Sequence, residues 1–560
     1  MKKRWSVVLC MVMILCSMSA CGKADAPSAE GTKGDGTQTA TVAESPAQTG
    51  SGKALTVGIS GTPDLDPAIA TSTSSLIAAV NLYDTLVFPA KDGVEPRVAE
   101  SWEISDDDKT YTFHLKKGIL FHDGSELQAS DVAFSMERLL GIGEGVSYLF
   151  SNAVDSVEAT DDYTVVFHLK QPFGPFLDAL VRLYIVNEEL VMANKKDGPY
   201  GEFGDYGKSW MVFNDAGSGA YKAVELVQQD YFLAEKNNDW FVGWSNDQAP
   251  ENFKLVEITE AATVRTMMTN GELDITDQWQ SSETLAALEK LDGVEIGEFS
   301  GNKIYSVYYN TQLAPMDDVN FRKAISCLID YDTVCKNILV NSVRAVGPVA
   351  SGVLGASEST QYNFDIEKAK EYLAASKYAD DYQNQKIEIL CNSDVADLEK
   401  IALMIQAAGK EIGLNIEISK APWVSIIDRV GSVDTTPHML MICANPMYDD
   451  AGCFLESRYH SKNIGTWEQG EWLDSKELDT MIEDAMRIVE PEERYAAYKV
   501  IQDKIVDEIC PTAYLCEFTE RLAYQTNSVK WPAMEDRTEG ALPNALEGYM
   551  YIFADLMFTK

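Results

Sequence analysis

The chain has 560 residues and sets 46 Lys and Arg against 87 Asp and Glu, a formal charge of −41. That balance argues against a nucleic-acid partner, whose affinity rests on cations meeting phosphates. A hydrophobic content of 46% is that of a globular protein, and the length allows more than one core.

The N-terminus reads "MKKRWSVVLCMVMILCSMSAC". Lys2, Lys3 and Arg4 precede an apolar run from Val7 to Met18, and small residues then lead to Cys21. This is the pattern of a secretory signal peptide over 1–20, too short for a spanning helix of about 20 apolar residues. Ser19, Ala20 and Cys21 resemble a bacterial lipobox, with Met18 where Leu is usual. In that reading Cys21 is lipidated and becomes the mature N-terminus, and an ordinary cleavage site is the alternative. Residues 21–53 are Ala, Gly, Ser and Thr with scattered charge, and they cannot bury enough surface to offset chain entropy. They are expected to form a tether that holds the rest outside the cell, anchored to the outer face of the cytoplasmic membrane.

Leu55 to Ile59 reads as a strand, "TPDLDP" as a turn, and "TSTSSLIAAVNLYDTLV" as a helix with Thr or Ser as its N-cap. "KTYTFHLKKGILF" alternates as strands do, and "DGSELQASDVAFSMERL" reads as a turn and a helix capped by Ser130 or Asp131. A similar hairpin pattern follows in "VDSVEATDDYTVVFHLKQPFGPFLDAL". Further on, "KIEILCNS", "VADLEKIALMIQAAGKEIG" and "LNIEIS" form a strand–helix–strand unit, with Leu398, Ile401, Ala402, Ile405 and Ile412 as the helix stripe. Such a unit is a right-handed crossover in an α/β lobe.

Catalytic patterns are wanting: no HExxH, GxSxG or Walker loop occurs. "FHDGSE" places His122 beside Asp123 but reads as a turn between strand and helix. Seven cysteines follow Cys21: Cys327, Cys335, Cys391, Cys443, Cys453, Cys510 and Cys516. Their odd number and lack of a CxxC favour buried free thiols over a disulfide framework or a metal site.

The run "AESWEISDDDKTYTFHLKKGILFHDGSELQASDVAFS" closely resembles the signature region of the family 5 solute-binding proteins, the receptors of oligopeptide, dipeptide and nickel ABC importers. "GSGAYKAVELVQQDYFLAEKNNDWFVG", "RTMMTNGELDI" and "YYNTQLAPMDDVNFRKAISCLIDYDTV" resemble later family segments in the same order, so the likeness covers roughly 54 to 535. The resemblance implies an α/β fold of the periplasmic-binding-protein type, a two-lobed clamshell with an extra domain on the first lobe. It implies a first lobe from 54–90, 213–309 and 528–560, an additional domain at 91–212 and a second lobe at 310–527. It also implies a non-catalytic monomer without cofactor or metal, which captures a peptide or other small polar solute between hinged lobes and delivers it to a membrane permease. An oligosaccharide or a metal chelate are alternative ligands on the same fold, and an exported hydrolase is the rival from another class.

Candidate ligand residues fall in three places. Thr71, Ser72 and Thr73 open the first helix, where free N–H groups or hydroxyls meet ligand unless they only cap it. Asp277, Gln278 and Trp279 resemble in position the polar residues that face the cleft in peptide binders. Trp423 matches a Trp that lines the family's cleft. In "CANPMYDDAGC", the resemblance puts Asn445 where peptide-binding relatives carry the Asp that pairs with the α-amino group. The charge there is lost. Either Asp449 or Asp450 takes over beside Tyr448, or the ligand is not a free-amine peptide.

Overall fold

The computed structural model describes residues 53–90, 93–258, 260–393, 395, 397–531 and 546–560. Cys21, the signal peptide and all but the last residue of the tether lie outside the described residues. No helix among the described residues is long and apolar enough to cross a membrane.

Leu55–Ile59 is a wholly buried strand, its Leu55, Val57 and Ile59 lying in the core. It runs parallel to Asn252–Glu257 in a four-stranded sheet completed by Tyr231–Lys236 and Tyr221–Val227. A second four-stranded sheet takes Ala99–Ile104, Thr110–Leu115, Thr164–Leu169 and Val154–Asp161 in that spatial order. Its two inner strands alternate strictly: Tyr111, Phe113 and Leu115 are buried on one, Val165, Phe167 and Leu169 on the other. Phe113 and Phe167 meet edge-on at 5.6 Å between ring centroids.

The third sheet has six strands in the order Val343–Arg344, Thr512–Gln525, Val294–Tyr309, Met439–Ala444, Lys386–Asn392 and Asn415–Ala421. Lys386–Asn392 and Asn415–Ala421 are parallel, joined by the helix Asp397–Glu411. The expected stripe is buried at all five positions, Ile412 lying one residue past the helix end. Val294–Tyr309 and Thr512–Gln525 pair antiparallel almost end to end, and their register slips between Ser300 and Lys303.

Caps and turns mostly follow local chemistry. Ser72 is the N-cap of Thr73–Leu82, its hydroxyl accepting from Ser75 N at 3.2 Å. The helix Ala129–Ile142 differs from expectation, because its N-cap is Gln128 and neither Ser130 nor Asp131. Asp131 instead sits in the first turn and reaches backward, accepting from Gln128 N at 2.8 Å and from Glu188 N at 2.9 Å. A carboxylate there satisfies two backbone donors at once. In "TPDLDP", Asp66 accepts from Arg138 Nη1 at 2.7 Å and Nη2 at 2.6 Å, both side chains buried. This bidentate pair ties the first turn to the helix Ala129–Ile142.

Candidate functional site

His122 does not partner Asp123. Its Nδ1 lies 2.6 Å from Asp215 and its Nε2 3.1 Å from Gly219 O, while Asp123 accepts from Ser125 N at 2.9 Å. The imidazole is thus held on both nitrogens as a brace for the turn.

Three chain segments meet around Lys303, which follows the register slip. Its buried ammonium contacts Glu520 on the paired strand and Glu547 at 2.6 Å. Burial draws the Lys303 pKa down, but the two carboxylates outweigh it and hold it above the usual lysine range. Burial and the neighbouring Glu547 push Glu520 up to about 7, with Lys303 opposing. Thr73 donates its hydroxyl to Glu547. The ring of Trp279 lies 5.6 Å from the Lys303 ammonium.

Arg182 closes the ring of contacts. It is 1% exposed. Its Nε donates to Met447 O at 2.6 Å and its Nη1 to Glu547 O at 2.9 Å. One guanidinium therefore links residue 182, the "CANPMYDDAGC" stretch and the segment that holds Glu547.

That stretch begins as the end of the strand Met439–Ala444. Asn445 is half-buried just beyond it, and Tyr448 is buried. Met447 N donates to Cys453 Sγ at 3.2 Å. Asp450 is the N-cap of Ala451–Tyr459: Gly452 N donates to its Oδ1 at 2.8 Å and Arg494 Nε to its Oδ2 at 3.0 Å. Asp449 accepts from Leu354 N at 3.2 Å, and burial pushes it up to about 6. Asp178 faces the same pair; burial, then Asp450, raise it to about 8 against the pull of Arg494.

The other candidates are spread. Thr71 is exposed, Ser72 is spent on its cap, and only Thr73 reaches the Lys303 cluster. Asp277 holds its own loop, accepting from Trp279 N at 2.9 Å and Gln280 Nε2 at 3.1 Å. Gln278 is buried, and its Nε2 has no hydrogen-bond partner among the described residues. Gln278 and Trp279 line a small open cleft with Ser281, Tyr305, Phe518 and Arg521. Trp423 opens the helix Trp423–Val430 and packs edge-on to Trp467 at 5.4 Å, beside a small apolar cluster that includes Tyr308 and Ile426. The seven cysteines are free, six buried and Cys443 half-buried. Among the described residues no group of three or more His, Cys, Asp or Glu is placed to hold a metal ion.

Sequence reasoning missed Arg182, Lys303, Glu520 and Glu547. The one signal available was indirect: a lysine and a glutamate inside strands that otherwise read as buried.

The model of the bacterial extracellular solute-binding proteins, family 5, matches residues 93–466. The chain belongs to this family. It is 28% identical to the probable D,D-dipeptide-binding periplasmic protein DdpA of Escherichia coli K12, over 81% of this chain and 86% of that one. It is 25% identical to the oligopeptide-binding protein OppA of Bacillus subtilis, over 94% and 96% of the two chains. The periplasmic binding protein DppA of Helicobacter pylori, solved with the peptide STSA, superposes with a TM-score of 0.74 at 24% identity, covering 91% of this chain and 98% of that one. The fold is therefore the α/β periplasmic-binding-protein type, and the family is one of extracytoplasmic binding proteins.

Proposed function

We propose that this family 5 chain is the receptor of an ABC importer, which encloses a peptide or similar small polar solute between two lobes and hands it to a membrane permease. The observation that carries this is the set of contacts that converge from distant segments on Lys303 and Arg182. Thr73 and Glu547 come from segments assigned to the first lobe, Arg182 from the additional domain at 91–212, and Met447 from the second lobe at 310–527. Val294–Tyr309 and Thr512–Gln525 serve as the two crossings between lobes, with the slip beside Lys303 as their bending point. Ligand captured there stabilises the closed form, which the permease recognises. Relatives named for peptides support the ligand class.

In the same reading Cys21 carries the lipid, residues 21–53 are the tether, the receptor is a monomer, and it carries out no covalent chemistry. Replacement of the family's Asp by Asn445 keeps an oligosaccharide or chelate as the second reading, because an amide does not neutralise an ammonium. Native mass spectrometry of the receptor, before and after mild unfolding, tests the ligand class. A peptide-sized mass lost on unfolding is expected; recovery of a sugar and never a peptide overturns the peptide reading.

A further inference from the structure

Two of the seven thiols meet. Cys335 lies in the widened helical turn Val334–Ile338, and its Sγ donates to Leu515 O at 3.9 Å. That carbonyl belongs to the peptide group that leads into Cys516, on the long strand Thr512–Gln525. The Cys516 thiol in turn supports the Cys335 sulfur, and its strand position pairs with Arg344. Three of the other thiols are met by groups that are not thiols: Cys453 by Met447 N at 3.2 Å, Cys510 by the Ser326 hydroxyl at 3.8 Å, and Cys391 by Leu398 O at 3.9 Å. Cys443 and Cys516 flank Tyr305 from opposite sides in the sheet. Their Cα atoms therefore stand two strand spacings apart, about 10 Å, which is beyond the reach of a disulfide.

The two sulfurs are unlike. The contact from Cys516, and then the cations Arg344 and Lys336, hold the Cys335 thiol below its usual range against burial and Asp332. Cys516 is pushed up, by burial first and then by Cys335. Arg344 donates from Nη1 to Asn363 Oδ1 at 2.7 Å and from Nη2 to Tyr362 O, and its guanidinium lies over the Tyr331 ring at 4.5 Å. Its buried Nε finds no hydrogen-bond partner among the described residues. Asp332, one turn before Cys335, is taken up by Lys336 at 2.9 Å. A sulfur that ionises readily, set against one that keeps its proton, is the arrangement in which one thiol attacks and the other resolves. Cys335 is 7% exposed, which admits a peroxide and not a bulky aromatic reagent.

We propose that Cys335 and Cys516 are a reversible dithiol that a hydroperoxide converts to a disulfide, and that this bond stiffens the wall of the cleft beside Trp279. In the first step the Cys335 thiolate attacks a peroxide oxygen. An S–O bond forms, the O–O bond breaks, and the departing oxygen takes up a proton as water or an alcohol. In the second the Cys516 sulfur displaces that hydroxyl: the S–S bond forms, the S–O bond breaks, and the hydroxyl leaves as water with the Cys516 proton. The two thiols lose two electrons in all, and the peroxide gains them. The family works outside the cell, where disulfides persist. Leu339 and Val340 follow Cys335 closely and line the cleft. Phe518 lines it two residues beyond Cys516, on the same face of its strand. The cross-link ties these two parts of the wall together, and its formation does not depend on what the cleft holds.

The test treats fully reduced receptor with hydrogen peroxide, quenches with acid, alkylates the unfolded chain and maps it by mass spectrometry. The expected result is a loss of about 2 Da, the two thiol hydrogens, and one cross-link between the peptides that carry Cys335 and Cys516, reversed by a dithiol reductant. Amide hydrogen exchange over residues 334–344 should slow about tenfold in the oxidised form and recover on reduction. In Cys516→Ala the first step should still run, and Cys335 should be trapped as its sulfenic acid by a cyclic dione. Cys335 that stays open to alkylation after peroxide, or a cross-link between any other two cysteines, overturns the proposal. A Cys335–Cys516 link that leaves exchange over 334–344 unchanged overturns the stiffening of the cleft wall. The mapping needs only the unsubstituted protein, so the outcome does not depend on the variant folding.

Discussion

Asp450 and Arg494 form a buried ion pair, with Arg494 Nε 3.0 Å from Asp450 Oδ2 and the two side chains 3% and 0% exposed. The pair joins the N-terminus of the helix Ala451–Tyr459 to the helix Pro491–Lys504. Asp450 is therefore fully engaged by its own chain, although it stands where a ligand-binding carboxylate was a candidate.

Removing that carboxylate should act on stability. Asp450→Ala leaves Arg494 buried without its counter-charge and the helix without its cap, a loss of about 3–5 kcal/mol in urea unfolding. Asp449→Ala loses a single hydrogen bond, from Leu354 N, and should cost about 1 kcal/mol. Equal effects of the two substitutions would contradict this account.

The Lys303 cluster predicts an asymmetry of its own. Lys303→Met leaves Glu520 and Glu547 buried together with no cation between them and should destabilise by about 3–5 kcal/mol. Glu520→Gln keeps Glu547 on the ammonium and should cost about 1 kcal/mol or less. Chemical denaturation at pH 7 separates the two.

Stability should fall as pH rises from 5 to 8. Burial raises Asp449 to about 6, Glu468 and Glu520 to about 7 and Asp178 to about 8. In each the folded protein binds the proton more tightly than the unfolded chain, so the stabilisation is full near pH 4 and is lost as pH climbs through the folded value. His438 works the other way, because burial lowers its pKa and its contribution grows toward neutral pH. Four groups outweigh one, so a melting temperature lower by a few degrees at pH 8 than at pH 5 is expected. Glu468→Gln combined with Asp178→Asn should flatten the profile; an unchanged slope would show that these carboxyls do not set it.

Thiol chemistry gives a further check. In a chain that starts at Lys53, dithionitrobenzoate should label Cys443 first and slowly, and all seven thiols only after unfolding. The other six are buried, and burial drives the thiols of Cys327, Cys391, Cys443 and Cys453 up to about 12. Fewer than seven reactive thiols in the unfolded chain would reveal a disulfide.

What could be read from the residues was what depends on neighbours in sequence. Leu398, Ile401, Ala402, Ile405 and Ile412 announce a buried stripe because helical periodicity is local, and Ser72 announces its cap for the same reason. Asp131 shows the limit even there: an acidic residue near a helix start can be cap or first-turn partner, and Glu188, far along the chain, decides which. The candidate site was legible only in part. Thr73 and Trp279 reach the Lys303 cluster, whereas Ser72 and Asp277 satisfy their own backbone. Lys303 and Glu520 left only the indirect trace of charge inside a buried strand, and Arg182 left none, since each is defined by partners from other segments.

The bond from Thr73 to Glu547 also bears on assembly. It joins the helix Thr73–Leu82 to a segment near the C-terminus, so loop closure across most of the chain must precede it. A chain that stops short of Glu547 lacks the acceptor for Thr73 and one of the two carboxylates on Lys303, so in the proposed reading the site is completed only when nearly all of the chain has been made.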